Sequence, residues 1–191
     1  SPEREIAGSI EYIDRELAPP DKKTRMMLWT GDALPDGEAI GITRKLGVAN
    51  LNGGNTAIRD AYPSVTNVYP LGRPTETGAQ IYAPVMNENV YTNDWTGPFH
   101  GFRHVIETFQ RTDSPRRLKP LAIYYHFYSG TKQSALNALL SIYHWVDEQE
   151  TLPLYGSEYA RKAEDFYRVV ITQDLEGRYV LSNLGTLRTI R

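Results

Sequence analysis

Apolar positions in the first fifty residues alternate between helical repeats and short continuous runs. Apolar residues recur every three or four positions over 6–17, which predicts a helix that the prolines at 19–20 end. The run 25–29 predicts a buried strand followed by a helix over about 35–46, and 48–52 predicts a second strand. Because strand, polar loop and helix repeat in this order, the pattern favours parallel β/α units of an α/β fold.

The middle of the chain predicts weak strands and stronger helices. Prolines and glycines break its first part into loops, with strands predicted over 64–69 and 80–83. Helical spacing predicts helices over 99–111 and about 132–148. Between them, the β-favouring run 121–125 predicts a buried strand.

The last forty residues predict a short strand, a helix and a strand-rich tail. The strand is predicted over 152–155, and the helix runs from a cap at Ser157 to about Ile171. Segments within 177–191 favour strands, which predicts a closing hairpin or the start of a following β module. The predicted organisation is one β/α domain over 1–176 followed by these terminal strands.

One of the four histidines lies at the C-terminal end of a predicted strand. His126 follows the run 121–125, and the loop 129–131 then leads into a helix. The carboxyl ends of parallel strands face the ligand crevice in α/β folds, so an imidazole at this place is a candidate proton donor or acceptor. The alternative is a buried histidine bonded to a backbone carbonyl, and position alone does not separate the two.

Polar residues also follow the first two predicted strands. Asp32 comes after the first strand, and Asn52 and Asn55 flank a pair of glycines after the second. Two residues without side chains allow a ligand to approach the backbone closely. Because parallel strands bring such loops to one edge of a sheet, these three side chains are candidate ligand contacts.

The segment 87–95 is dense in side chains that hydrogen-bond hydroxyls and amides. It contains Asn87 and Asp94 together with Tyr91 and Trp95, whose rings suit stacking on a sugar. This composition predicts a loop that faces a ligand. Asparagine and aspartate are also ordinary turn formers, which is the alternative interpretation.

Two further histidines have the spacing of a metal chelate. His100 and His104 lie four residues apart on a predicted helix. No glutamate separates them in the zincin arrangement, and solvated surface histidines are the alternative.

Composition excludes several classes of function. The chain has 191 residues, 40% hydrophobic content and a net charge of -2. These values indicate one domain of ordinary size, and the absence of a basic stripe argues against nucleic acid as a partner. The lack of cysteine excludes a disulfide scaffold, a thiolate zinc site and a cysteine nucleophile. No apolar run reaches the length of a membrane span, so membrane insertion is not expected.

Five segments taken together resemble one family. These are Leu28-Trp-Thr-Gly-Asp32, Leu51-Asn-Gly-Gly54, the whole of 87–95, Ser114-Pro-Arg-Arg-Leu-Lys-Pro120 and Tyr124-Tyr-His-Phe-Tyr-Ser-Gly130. They resemble the deacetylase region of PelA-type exopolysaccharide deacetylases, which are related to the NodB-like polysaccharide deacetylases. The similarity covers nearly the whole chain.

The resemblance implies a fold, a reaction and a location. The fold would be part of a distorted (β/α) barrel, and the reaction would be hydrolytic removal of N-acetyl groups from an amino-sugar exopolysaccharide of the biofilm matrix. The location would be periplasmic or otherwise extracytoplasmic. Partners would be the polysaccharide and other components of exopolysaccharide export.

The resemblance also assigns roles to individual residues. The family's late strand ends in a histidine that acts as general acid, and 123–126 is similar to it, so His126 takes that role. Asp94-Trp95 is similar to the family's Asp-Trp motif, and a carboxylate such as Asp32 or Asp94 would keep the His126 ring protonated and oriented. The residues expected to bind or border the sugar are Asn52, Asn55, Asn87, Tyr91, Trp95 and Tyr128.

The metal site of the family is incomplete in this sequence. In the family an aspartate and two histidines hold a divalent metal ion, expected to be zinc in the complete domain, and a second aspartate acts as base. The early Thr-Phe-Asp-Asp and His-Ser/Thr-x-x-His motifs that supply these groups are absent here. His100 and His104 have the spacing of the second motif but come too late in the order, so the ligand role is not transferred to them. We therefore expect the C-terminal portion of a deacetylase domain, inactive alone and without a bound metal.

Two other functions are compatible with the residues. A β/α-barrel glycoside hydrolase would use two carboxylates and no metal. Its candidate carboxylates are Asp32, Glu88, Asp94 and Glu158. A non-catalytic module that only binds polysaccharide is the second alternative.

Overall fold

The computed structural model describes residues 1–93 and 97–189. These residues form two compact units, one made of 1–53, 72–82 and 154–191 and the other of 54–71 and 83–153. We call them unit 1 and unit 2 and describe each by itself. Asp94 and Trp95, both predicted site residues, lie outside the described residues.

The described residues contain six α-helices and six short strands, with two 3₁₀ segments that are important for the site. In chain order the elements are α1 Pro2–Tyr12, continued by a π-helical turn Ile13–Leu17, β1 Met26–Leu28, α2 Gly37–Lys45, β2 Ala49–Leu51, β3 Gly72–Pro74, β4 Ala79–Ile81, α3 Glu88–Tyr91, the 3₁₀ segment Phe99–His104, α4 Val105–Arg111, the 3₁₀ segment Phe127–Thr131, α5 Gln133–Asp147, α6 Gly156–Arg168, β5 Val170–Gln173 and β6 Tyr179–Ser182. No helix in this described part has the length and apolarity needed to cross a membrane.

Unit 1 contains the parallel strand pair that the sequence predicts. β1 and β2 pair in parallel, with Met26 opposite Ala49 and Leu28 opposite Leu51. β3 and β4 form an antiparallel pair, and the backbone N–H of Asn52, just after β2, donates to the carbonyl of Ile81 in β4 at 3.0 Å. The fold is therefore mixed α/β with short sheets, and the described residues do not close a barrel.

Two buried amide side chains, those of Asn50 and Gln80, hold these strands of unit 1 together. Asn50 accepts from the indole N–H of Trp29 at 3.0 Å and donates to the carbonyl of Ala79 at 3.0 Å. Gln80 donates to the carbonyls of Ala33 at 2.6 Å and of Asn52 at 2.8 Å. A buried amide is stable only when its donors and acceptors are bonded, and here each bond also fixes a strand or the loop that follows it.

Unit 2 is built on the contact between α5 and the segment Phe99–His104. The apolar face of α5 buries Ala135, Ala138, Leu139 and Ile142. Phe102 and Phe109 are part of the same core, and the ring of Phe109 stacks on Trp145 with 5.8 Å between ring centroids. The predicted helix over 99–111 is thus confirmed as helical, but its first half is a 3₁₀ segment.

The predicted strand over 121–125 is wrong, because this segment pairs with no other strand in the described chain. Leu121, Ala122, Ile123 and Tyr125 instead pack as half-buried side chains against the core of unit 2. An apolar run indicates that side chains are buried. A strand also requires a neighbouring segment whose backbone donors and acceptors are free to pair with it. The strands predicted over 64–69 and 152–155 are absent from the described residues for the same reason.

The C-terminal region follows the prediction more closely. α6 covers most of the predicted helix, and its cap is Tyr155 rather than Ser157, with the Glu158 carboxylate accepting from the Tyr155 N–H at 3.0 Å. β5 and β6 form an antiparallel hairpin. The predicted boundary between 176 and 177 falls in the turn of this hairpin.

Candidate functional site

His126 lies where the extended segment 120–126 meets the 3₁₀ segment Phe127–Thr131 of unit 2. Its backbone N–H donates to Oε1 of Glu88 at 2.8 Å, and its Nδ1 lies 3.0 Å from the same oxygen. The hydroxyl of Ser129 donates to that oxygen at 3.1 Å. One carboxylate oxygen therefore fixes both the backbone and the ring of His126.

Glu88 is a buried carboxylate, with only 4% of its surface exposed. It is the first residue of α3, which Asn87 caps by accepting from the N–H of Asn89 at 3.1 Å. While Oε1 is bonded to three groups, Oε2 is buried and has no hydrogen-bond partner among the described residues. Leaving a buried carboxylate oxygen without a partner is unfavourable, so a donor that reaches Oε2 would stabilise this arrangement.

Tyr128 completes a polar cluster of four residues, which we call the Glu88 cluster: Glu88, Asn89, His126 and Tyr128. The Tyr128 ring stacks on the His126 ring with 4.9 Å between centroids and 9° between planes. Its hydroxyl donates to Oδ1 of Asn89 at 2.9 Å and lies 2.9 Å from Nδ1 of His126. Burial, together with the charge of Glu88, raises the pKa of Tyr128 to about 12, so its hydroxyl stays protonated at neutral pH.

The hydrogen bonds assign the tautomer of His126. The Tyr128 hydroxyl uses its own hydrogen on Asn89, and Glu88 Oε1 is an acceptor, so the shared hydrogen in this network belongs to Nδ1 of His126. In this tautomer Nε2 is the ring nitrogen that does not carry the hydrogen. A carboxylate on one imidazole nitrogen and a reacting group on the other is the arrangement of general acid–base catalysis.

A cavity of about 110 Å³ lies beside the Glu88 cluster within unit 2. Its polar lining includes Glu88, Asn89, Tyr128 and Ser129, and its apolar lining includes Phe99, Phe102 and Ala135. Lys132 also lines it, with its ammonium 5.7 Å from the centre of the Phe99 ring. A concave site with apolar walls and a few converging polar groups is the usual form of a small-ligand pocket.

The predicted site residues of unit 2 lie in different places. Tyr128 lines the cavity, His126 is bonded to Glu88 and Tyr128 but is not a lining residue, and Asn87 caps α3. Tyr91 is buried, and its hydroxyl lies 2.8 Å from the hydroxyl of Thr108. Burial raises the pKa of Tyr91. Asn55 is exposed with a positive φ of 40°.

The predicted site residues of unit 1 have local roles in that unit. Asn52 is buried, and its amide donates to the carbonyl of Trp29 at 2.7 Å and accepts from the N–H of Gly53 at 2.8 Å. Asp32 is exposed, and its carboxylate accepts from the N–H of Leu34 at 3.2 Å.

His100 and His104 do not form a complete metal site with the described residues. Both belong to a 3₁₀ segment, in which residues four apart lie about a third of a turn away from each other rather than on one face. Nδ1 of His104 is bonded to the Glu107 carboxylate. Burial raises the pKa of Glu107, but the bonds from His104 and Asp60 offset this and hold it below its usual value. No group of three histidine, aspartate or glutamate side chains within the described ranges has the geometry to hold a metal ion.

Sequence reasoning did not identify Glu88 as the partner of His126 and named it only as a candidate glycosidase carboxylate. The two residues are 38 positions apart, and no motif spacing links them. Comparison with family models, with curated proteins and with solved structures found no match for this chain.

Proposed function

We propose that this chain is the proton-transferring part of a metal-dependent polysaccharide deacetylase, acting on the N-acetyl groups of an amino-sugar exopolysaccharide. The observation that carries the proposal is the Glu88–His126 pair, in which Glu88 lines a cavity and His126 is bonded to Glu88. The proposal includes the finer parts of the resemblance, namely a distorted (β/α) barrel to which β1 and β2 would belong, and a periplasmic location near other export components.

The size of the cavity supports an acetamido group as its occupant. A cavity of about 150 Å³ holds benzene, so about 110 Å³ suits a group of roughly four heavy atoms. An acetamido substituent has four heavy atoms, with a methyl group for the Phe99 and Phe102 wall and an amide for the polar lining.

His126 supplies the proton that amide hydrolysis requires. Water adds to the acetamide carbonyl carbon, and the C–N bond then breaks, so the departing nitrogen must be protonated to leave as an amine. A protonated His126 gives that proton from Nε2, while Glu88 on Nδ1 stabilises the imidazolium and fixes the ring. The family's metal would activate the water, but the described residues lack its ligands, so only proton transfer is assigned to this chain.

A glycoside hydrolase is supported less well. It needs two carboxyl groups about 5 to 9.5 Å apart on either side of the bond to be cut. Glu88 is the one carboxylate in the described lining of the cavity. Asp32 and Glu158 belong to unit 1, and Asp94 lies outside the described residues.

The experiment that tests the proposal measures amine release from N-acetylated amino-sugar oligosaccharides by the protein that contains this chain. We expect His126→Gln to lower the rate at least about a hundredfold, the usual worth of a general acid. His144→Gln, at an exposed histidine of α5, is the matched control and should leave the rate unchanged. Near-normal turnover by His126→Gln would show that this histidine takes no part in the reaction. If the wild type and the variants all bind the oligosaccharide equally well and none releases amine, a binding module is favoured.

A further inference from the structure

The cavity is too small to hold a sugar ring. Pockets that enclose a whole small ligand measure roughly 300 to 1,000 Å³, whereas this one measures about 110 Å³. A sugar whose substituent occupies the cavity must therefore keep its ring, and the rings of its neighbours, on the surface around the opening. The side chains of that surface then decide how polymer is held.

Phe127 is an exposed aromatic residue that directly precedes the lining residues Tyr128 and Ser129 in the chain. It lies between His126 and Tyr128 in the chain and begins the 3₁₀ segment Phe127–Thr131. Its side chain is 94% exposed, while Phe102 and Phe109 of the same unit are 2% exposed. A phenylalanine stabilises a fold by removing its apolar surface from water, so a ring left almost wholly in water contributes little to this fold.

The residues on both sides of Phe127 are held in place. Glu88 accepts from the backbone N–H of His126 before it, and Asn89 accepts from the side-chain hydroxyl of Tyr128 after it. These bonds hold the chain at Phe127 next to the cavity wall that Tyr128 and Ser129 form. A side chain on a held backbone loses less conformational entropy on binding than one on a mobile loop.

We infer that Phe127 forms a stacking subsite for a pyranose ring of the polymer, next to the sugar whose substituent enters the cavity. This inference rests on the proposed function. The apolar C–H face of a pyranose covers an aromatic ring, while its edge carries hydroxyls that need polar neighbours.

The surroundings of Phe127 fit a sugar better than a protein partner. Gly130, Thr131 and Lys132, which follow it, are exposed and offer hydroxyl, ammonium and backbone groups to a sugar's edge. Protein interfaces instead bury contiguous apolar patches of several hundred Å². A single ring among polar groups matches one sugar face.

The subsite makes binding depend on chain length. A monomer can place its acetamido group in the cavity without covering Phe127, whereas a longer chain does both. Affinity should therefore rise from monomer to tetramer, and the rise should depend on an aromatic side chain at this position.

The test titrates the present chain with N-acetylglucosamine, its dimer, its tetramer and its hexamer, and follows binding by calorimetry and by the NMR signals of His126 and Ser129. Phe127→Ala is expected to weaken tetramer and hexamer binding about tenfold, to leave monomer binding unchanged, and to keep the His126 shifts at saturation. Phe127→Trp should restore the tetramer affinity. Tyr62→Ala is the control, because Tyr62 is an exposed aromatic residue of the same unit.

The outcomes separate this inference from the proposed function. If tetramer binding shifts His126 but Phe127→Ala weakens no chain, or weakens monomer and tetramer equally, the stacking subsite is wrong and the proposed function stands. If no N-acetylated sugar shifts His126 or Ser129, the proposed function fails and the subsite falls with it.

Discussion

The two units each bury a cluster of polar side chains, and the clusters differ in how completely they are bonded. In unit 1, the side-chain nitrogen and oxygen of Asn50, Asn52 and Gln80 are all bonded. In the Glu88 cluster of unit 2, one carboxylate oxygen is buried without a partner in the described chain, next to a cavity. A fully bonded cluster stabilises and orders a fold, whereas an incompletely bonded one beside a cavity indicates a place for a ligand.

The comparison therefore separates two uses of buried polar groups. The amides of unit 1 connect β1, β2 and β4 with the loops around them, so their loss should affect stability. Glu88 connects to a histidine and a cavity, so its loss should affect function. Substitutions in the two clusters should therefore change different quantities, stability in unit 1 and activity in unit 2.

Gln80→Ala should cause the largest loss of stability. Gln80 is fully buried and donates to two carbonyls while accepting from the Arg73 guanidinium. Its removal leaves these groups buried and unbonded, so we expect the free energy of unfolding to fall by about 4 kcal/mol. Urea unfolding measures this, with Gln110→Ala at an exposed glutamine as control. A loss below about 1 kcal/mol would show that the unit 1 cluster does not stabilise the fold.

Lys119 is a buried charged side chain that belongs to neither cluster. It is 4% exposed, donates to the Thr56 hydroxyl at 2.6 Å, and forms no ion pair with any described carboxylate. Burial lowers the pKa of Lys119 to about 8 from an ordinary 10.5. Between about pH 8 and pH 10.5 the unfolded chain therefore binds more protons than the folded chain. The free energy of unfolding should rise with pH across this range.

Lys119→Met should remove this pH dependence. At pH 7 the wild type carries a cost on the order of 3 kcal/mol from the buried ammonium, which the variant lacks. Urea unfolding of both proteins at pH 7, 8, 9 and 9.5 should give a stability difference that shrinks as pH rises. Lys162→Met, at an exposed lysine, should give parallel curves. If the free energies of unfolding of the wild type and Lys119→Met differed by the same amount at every pH, the lowered pKa of Lys119 would be contradicted.

Glu88→Gln should reduce activity without reducing stability. The amide keeps an acceptor for His126 and Ser129 but no longer stabilises an imidazolium, so we expect the rate of the proposed deacetylation to fall about a hundredfold. Removing an incompletely bonded buried charge should leave the free energy of unfolding unchanged or raise it by about 1 kcal/mol. Amine release and urea unfolding measure the two quantities. Glu148→Gln at an exposed position is the control, and a large loss of stability for Glu88→Gln would make Glu88 a structural residue.

Tyr128→Phe should have the smallest effect of the series. The variant keeps the ring that stacks on His126 but loses the hydroxyl between Asn89 and Nδ1. Residues that orient a catalytic group typically alter activity about tenfold, so we expect a loss of that size with stability changed by less than about 1 kcal/mol. A loss equal to that of Glu88→Gln would mean that the hydroxyl itself takes part in the reaction. Tyr62→Phe is the control.

Much of the secondary structure followed from local pattern. The helices at Gly37–Lys45 and Gln133–Asp147 and the parallel strands at Met26–Leu28 and Ala49–Leu51 lie within the predicted ranges. Their apolar periodicity and flanking turn residues are local properties, so the sequence alone is sufficient for them. The predicted strand over 121–125 was wrong because strand formation depends on a partner elsewhere in the chain.

The candidate site was predictable only in part. His126 could be named from its position after an apolar run, and Tyr128 from the resemblance to the deacetylase family. Tyr91, named for stacking, lies buried with its hydroxyl bonded to Thr108. The burial of an aromatic ring depends on which face of α3 meets the core. No local pattern over four residues fixes that face.

Local sequence pattern was sufficient for the mixed α/β class, for the main helices and for naming His126 as a candidate. Folding was needed to bring Glu88 to this histidine, to bury the second carboxylate oxygen of Glu88 and to leave Phe127 in water. This is because periodicity records whether a side chain is buried, while the identity of its neighbours depends on contacts between distant parts of the chain.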